Sequence, residues 1–303
     1  MEKIKGIIPP VITPLLDNEH IDYEGAARLL DRMIEGGVSA LFLLGTTGES
    51  QSIAMHLRFE FVEFAAKHIA GRVPLLVAIT ETSMEDSLAM AAHAKKCGAV
   101  AVVSAPPYYF PGNQQELIGW YKTLADACPL PIFLYNMPSK VKSFLEVPTV
   151  VELSKHPNII GLKDSSANLD YFREILKIFA GSDFACYMGP EELTGEMVML
   201  GADGGVNGGA NLYPEIFVEM YRAAASGDRS VFDAVQKRVM YLSDNLYHLD
   251  PTSDASFLRG VKTALEVKGI CSGYVAWPYR EYEGALRKKV ESIVFDLDAR
   301  GYR

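Results

Sequence analysis

Two residues that end apolar runs could do covalent chemistry together: Lys163, in Ile159-Ile160-Gly161-Leu162-Lys163-Asp164-Ser165-Ser166, and Tyr135, in Pro131-Ile132-Phe133-Leu134-Tyr135. A lysine at the C-terminal end of a buried strand is partly desolvated, and desolvation favours the neutral, nucleophilic amine. That is the form a Schiff-base lysine needs. Periodicity alone leaves the Lys163 run open between strand and helix. As a strand it puts Ile159, Gly161 and Lys163 on one face and Ile160 and Leu162 on the other, with Gly161 leaving space beneath the lysine. Taken by itself, the segment reads more simply as a strand end with its lysine in water. Tyr135 alters that balance, because strands that follow one another and pair would set the two side chains about 5 Å apart.

A third group is Gly45-Thr46-Thr47-Gly48-Glu49-Ser50, which closes the apolar run Val38 to Leu44. Glycine-freed N–H groups and two threonine hydroxyls suit a carboxylate or an oxyanion. The GxxxxGK[ST] phosphate loop is not matched, since Ser50 stands five residues after Gly45. A turn of Gly, Thr and Ser with no ligand is the simpler reading of the hexapeptide alone. Tyr108 and Tyr109 lie in a proline-rich loop, either as ordinary loop aromatics or as part of an interface. Glu191 and Glu192 open a helix, where they serve as N-terminal dipole complements or as acceptors for substrate hydroxyls. Asn207-Gly208-Gly209 is open between tight packing and substrate approach.

These groups need a scaffold that brings strand ends together. Strands are expected at 6–14, 38–44, 73–79, 100–104, 131–135, 159–163, 184–188 and 202–206. Helices are expected at 22–36, 54–69, 84–97, 114–128, 148–155, 169–179 and 191–200, with loops at 106–112 and 136–138. Eight strand signals alternating with helix signals predict a closed (β/α)8 TIM barrel over residues 1–227. Residues 228–303 show no strand signal. They predict a helical C-terminal extension with helices near 230–247, 255–268 and 279–299, broken at Pro251 and Pro278. Catalytic residues of such a barrel sit at the C-terminal ends of its strands, where all three groups fall.

Bulk properties agree with a barrel enzyme. The chain has 303 residues and a formal net charge of −9, which argues against a nucleic-acid partner and against an anionic membrane surface. No apolar run approaches a membrane span, and the first residues lack a signal-peptide pattern, so a cytoplasmic location is expected. Cys97, Cys128, Cys186 and Cys271 are dispersed and read as free thiols. The six histidines, at 20, 56, 68, 93, 156 and 248, have no paired-ligand spacing, so no metal site is expected.

The chain resembles the dihydrodipicolinate synthase / N-acetylneuraminate lyase family of pyruvate-dependent class I aldolases. The resemblance runs nearly end to end, through PVITP at 10–14, GTTGES, PPYY, LYNMPS, IIGLKDSS and GADGGVNGGAN. It implies Lys163 as the Schiff-base lysine and Tyr135 as the phenol that shuttles protons and meets the substrate carboxylate. Thr46 would link Tyr135 to Tyr109 in a proton relay, and the Thr47 N–H would bind the pyruvate carboxylate. Tyr109 would reach a neighbouring subunit's site, implying at least a dimer and usually a homotetramer. No cofactor is implied. The substrate-binding set expected on the same loops is Thr47, Gly48, Lys140, Ser165, Gly189, Glu191, Glu192, Val206 and Asn207.

The second substrate is where the chain departs from the family pattern. Dihydrodipicolinate synthases carry an arginine two residues after the YN-P proline, for the carboxylate of aspartate semialdehyde; here the residue is Lys140, which cannot form a planar two-pronged clamp. Thr80-Glu81-Thr82 also lacks the asparagine of lysine-inhibited members. Gly189-Pro190-Glu191-Glu192 partly resembles the segment with which neuraminate lyases hold the sugar tail, but the serine of those lyases is replaced within Asn207-Gly208-Gly209. The favoured expectation is a lyase cleaving or dehydrating a 2-oxo-3-deoxy sugar acid or related hydroxylated 2-oxo acid. Condensation of pyruvate with aspartate semialdehyde, neuraminate cleavage, and a non-catalytic 2-oxo-acid-binding regulator are the alternatives.

Overall fold

The computed structural model describes residues 2–302. Eight parallel strands form one sheet in the order β1-β8-β7-β6-β5-β4-β3-β2. They are β1 (Gly6–Ile7), β2 (Leu41–Leu43), β3 (Leu75–Ala78), β4 (Ala101–Ser104), β5 (Ile132–Asn136), β6 (Ile159–Asp164), β7 (Ala185–Met188) and β8 (Gly204–Gly205). The helices between them are α1 (Tyr23–Glu35), α2 (Met55–Ile69), α3 (Met84–Lys96), α4 (Gln114–Ala127), α5 (Pro138–Val141), α6 (Val147–Leu153), α7 (Leu169–Ile178) and α8 (Glu191–Met199), followed by α9 (Pro214–Ser226). The barrel is (β/α)8, as the alternation predicts.

Closure between the first two strands depends on a proline-edged segment. Pro9 and Pro10 have no N–H to give, so the expected strand over 6–14 shrinks to two paired residues. What remains of the ladder is carried by acceptors and one donor. Phe42 N–H reaches Pro9 O at 3.0 Å, and Val11 N–H reaches Phe42 O at 2.8 Å. Asn211, on the turn after β8, accepts from Ile12 N–H at 2.9 Å and donates to Pro10 O at 2.9 Å. One side chain thus satisfies backbone groups that a regular strand would have paired.

Helix starts follow their caps. Asp22 accepts from Gly25 N–H at α1, Ser83 caps α3, and Asn113 with Glu116 forms a capping box at α4. Several expected boundaries differ, two of them for a clear local reason. Residues 136–138 lead directly into α5, because Pro138 is pre-set for the first helical position. The last helix starts at Gly284 rather than 279, since the preceding backbone is drawn out to hold other elements: Arg280 O accepts from Arg259 Nε at 2.7 Å.

Beyond the barrel, α10 (Arg229–Leu242) runs into a π-type turn (Ser243–Tyr247), then come α11 (Ser256–Val267) and α12 (Gly284–Ala299). No described helix is long and apolar enough to cross a membrane. These C-terminal elements pack over the end of the barrel where the strands terminate, and several of their side chains, Ser243, Tyr247, Asp254 and Lys262 among them, reach the loops there.

Candidate active site

A cavity of about 620 Å³ opens at the C-terminal ends of the strands. Thr46 and Thr47 line it from the loop after β2, Tyr135 and Lys140 from β5 and α5, and Lys163 and Ser165 from β6. Gly189, Glu191, Glu192 and Val206 supply the β7–β8 side.

Lys163 and Tyr135 are register partners across β5 and β6. Both are buried, at 6% and 5% exposure. The Lys163 Nζ lies 4.0 Å from the centre of the Tyr135 ring and 5.3 Å from that of Phe42. Beneath it the space at Gly161 is filled by the Phe133 ring, since a Cβ at 161 would stand 2.6 Å from that ring and 2.5 Å from Ala185 O. Glycine therefore lets an aromatic floor support the lysine. The Tyr135 hydroxyl is 3.2 Å from Thr46 Oγ1. Burial pushes this phenol up, but the Lys163 charge and the Thr46, Ser165 and Lys163 hydrogen bonds outweigh burial and hold it below its ordinary value. A phenol so placed gives up its proton more readily than one in water.

Thr46–Gly48 form a single 3-10 turn, whose leading N–H groups have no partner inside the turn. The turn ends on Glu49 at φ 57°, ψ 26°, a left-handed conformation that costs a non-glycine residue about 1 kcal/mol or more. Glu49 is fixed there by the extension. Its carboxylate pairs with the Lys262 ammonium of α11, and its Oε1 accepts from Ala276 N–H at 2.8 Å. Lys262 is fully buried and also donates to Tyr274 O at 2.7 Å.

A second polar latch lies behind the lysine and tyrosine. Asn136 and Asp164 follow them on β5 and β6, and Asn136 Nδ2 donates to Asp164 Oδ1 at 2.8 Å. Asn136 Oδ1 accepts from Leu145 N–H at 3.0 Å, and Asp164 Oδ2 accepts from the Ser166 hydroxyl at 2.9 Å. Burial pushes the Asp164 carboxyl up to about 6 despite these donors.

On the β7–β8 side Glu191 accepts from Gly209 N–H at 2.8 Å and from the Tyr247 hydroxyl. Burial, with the charge of Glu192 beside it, pushes its carboxyl up to about 8. A Cβ at Gly209 would collide with this pair, so the glycine-rich stretch is needed for packing. Glu192 accepts from Ser243, again in the extension. Lys140, on the rim, faces Asp254 Oδ2 at 3.2 Å.

Three expected residues are not on the wall. Gly48 donates to Gly45 O at 2.9 Å and accepts from the Thr13 hydroxyl at 2.7 Å, which commits both its backbone groups to the loop. Asn207 turns inward and donates to Thr194 Oγ1 at 2.8 Å and Gly189 O at 3.3 Å. Both thus brace the loops behind the wall and are not among the residues lining the cavity. Tyr109 points away from its own cavity, 81% exposed and edge-on to Phe110, which is 80% exposed.

The family model for the dihydrodipicolinate synthetase family matches residues 3–296. The chain belongs to this family. It is a lyase of the pyruvate-dependent class I aldolase type that the family comprises. Among curated family members, the 4-hydroxy-tetrahydrodipicolinate synthase of Methanosphaerula palustris is 31% identical over 301 residues, covering 97% of this chain and 99% of the relative. Among solved structures, dihydrodipicolinate synthase from Bacteroides thetaiotaomicron is 45% identical with a TM-score of 0.95, covering 98% of this chain and all of the other. A prophage protein of Escherichia coli K12 from the same family, solved in complex with pyruvate, is 27% identical with a TM-score of 0.90, covering 97% of this chain and 98% of the other.

Sequence reasoning missed the partners that the extension brings to this family's site: Lys262, Ser243, Tyr247 and Asp254. One signal was available for Lys262, which stands at helical spacing from Leu258 and Leu265 on the apolar stripe of its helix. A lysine on such a stripe asks for a buried acid.

Proposed function

We propose that Lys163 attacks the keto carbon of pyruvate or a longer 2-oxo acid, and that the enzyme uses the resulting iminium to cleave or dehydrate a 2-oxo-3-deoxy sugar acid or a related hydroxylated 2-oxo acid. The observation that carries the Schiff-base reading is the Lys163 Nζ held 4.0 Å from the Tyr135 ring, with the Tyr135 hydroxyl in reach of Thr46. Attack by the neutral amine gives a carbinolamine, which loses water to the iminium. In cleavage, a proton leaves the C4 hydroxyl, the C3–C4 bond breaks, and its electron pair passes into the iminium to give an enamine and a free aldehyde. Protonation of the enamine at C3 and hydrolysis return pyruvate and the lysine. Tyr135 moves the protons at the oxygen atoms, and the Thr47 N–H receives the substrate carboxylate.

Preference for a hydroxylated tail rests on the chemistry of the rim. Lys140 stands where a two-pronged arginine would suit a carboxylate, and Glu192 is a hydrogen-bond acceptor facing the cavity. A second reading, condensation of pyruvate with aspartate semialdehyde, is favoured by the name of the Bacteroides thetaiotaomicron relative. Purified enzyme offered pyruvate with aspartate semialdehyde, and separately a panel of 2-oxo-3-deoxy sugar acids, decides between them. Turnover of the sugar acids with a clearly higher kcat/KM supports the first reading; efficient cyclisation of the semialdehyde replaces it with the second. In either case the exposed Tyr109 and Phe110 are read as crossing into a neighbouring subunit, which makes the active form at least a dimer, and the family pattern suggests a homotetramer. Sedimentation at working concentration checks this; an active monomer would end it.

A further inference from the structure

We propose that Asp254 is a specificity-determining residue: by pairing with Lys140 at the cavity rim, it turns the enzyme against aldehydes that carry a distal carboxylate. This rests on the aldolase reading above and adds a mechanism for its choice of second substrate. Among the described residues lining the cavity, the lysines are Lys140 and Lys163. Lys163 is committed to the keto carbon, so Lys140 is the remaining lysine that could receive a second anionic group. Its ammonium is not free, because Asp254 Oδ2 lies 3.2 Å away.

The acid is held in place by its own turn. Asp250 accepts from Arg259 Nη1 at 2.8 Å and from the Thr252 hydroxyl at 2.6 Å, and its N–H donates to the Ser256 hydroxyl at 3.0 Å. Ser253 N–H closes the turn on Asp250 O at 3.1 Å. Asp254 therefore approaches Lys140 from a turn anchored at both ends, across the gap between α5 and α11. An incoming carboxylate has to displace Asp254 from Lys140 or meet its negative charge; a neutral polyhydroxy aldehyde does neither. Discrimination here comes from a repulsive group as much as from an attractive one.

Solvent limits the size of the effect, since Lys140 and Asp254 are 36% and 82% exposed. An exposed pair of this kind is worth up to about fivefold in a rate or binding ratio.

The test uses the full-length enzyme with pyruvate as donor and two acceptors, aspartate semialdehyde and glyceraldehyde. Active sites are counted in each preparation by trapping pyruvate with borohydride, which removes any loss to misfolding. Asp254→Asn is expected to raise the semialdehyde-to-glyceraldehyde ratio of kcat/KM by about threefold to fivefold. In the double variant Asp254→Asn, Lys140→Met the gain is expected to disappear. An unchanged ratio in Asp254→Asn overturns the proposal, as does a gain that survives the loss of Lys140. A wild-type enzyme that already prefers the semialdehyde would end the hydroxylated-substrate reading, yet the Asp254 proposal would still stand or fall on the ratio in the variants.

Discussion

Replacing Tyr135 with phenylalanine is expected to lower turnover by about 10²–10⁴-fold, the range for removing a positioned general acid–base group. The phenyl ring would still lie against the Lys163 amine at the position where the native ring is 4.0 Å away. The substitution therefore removes a proton carrier with little change in packing. Borohydride should still trap pyruvate on Lys163, but more slowly, because loss of water from the carbinolamine needs a proton. Tyr109→Phe should show the same pattern to a smaller extent if the hydroxyl acts from a neighbouring subunit. Rapid-quench trapping alongside steady-state turnover reads both effects. Turnover within threefold of wild type in Tyr135→Phe would remove the phenol from the proton path.

Lys262→Met is expected to cost about 3–5 kcal/mol of stability, the range for stranding one member of a buried ion pair. Glu49 would be left with the Ala276 N–H as its donor and no cation. Because Glu49 ends the turn that carries Thr46 and Thr47, turnover should fall even at temperatures where the variant stays folded. Pairing the change with Glu49→Gln should recover part of the stability, since no charge then remains buried. Denaturant unfolding of the two single variants and the double variant measures the coupling directly. A cost below about 1 kcal/mol for Lys262→Met would mean that the pair does not hold the loop.

What could be read from the sequence follows from how local each signal is. β5 and β6 were legible because apolar runs end abruptly at Tyr135 and Lys163, and pairing of consecutive strands then fixes their distance. The turn at 45–50 was legible as a turn, but not the reason Glu49 belongs to it, because its partner lies more than two hundred residues away in α11. Glu191 shows the same limit. Its place at a helix start left it open between a dipole complement and an acceptor for substrate hydroxyls, whereas the fold supplies the Tyr247 hydroxyl and Gly209 N–H as partners from other elements. The first strand is shorter than its apolar run because Pro9 and Pro10 withdraw two N–H donors from the middle of it, and past Ile8 the ladder continues through single bonds to Phe42. Gly161 was read as empty space, and the fold fills that space with the Phe133 ring.

The proposed chemistry depends on Lys163 as the covalent catalyst. Its most direct test is borohydride reduction of the enzyme in the presence of pyruvate, followed by peptide mapping by mass spectrometry. The expected result is a single reduced pyruvate adduct on the peptide carrying Lys163, lost in Lys163→Ala. An unmodified Lys163 under conditions of active turnover, or an adduct on another lysine, would contradict it.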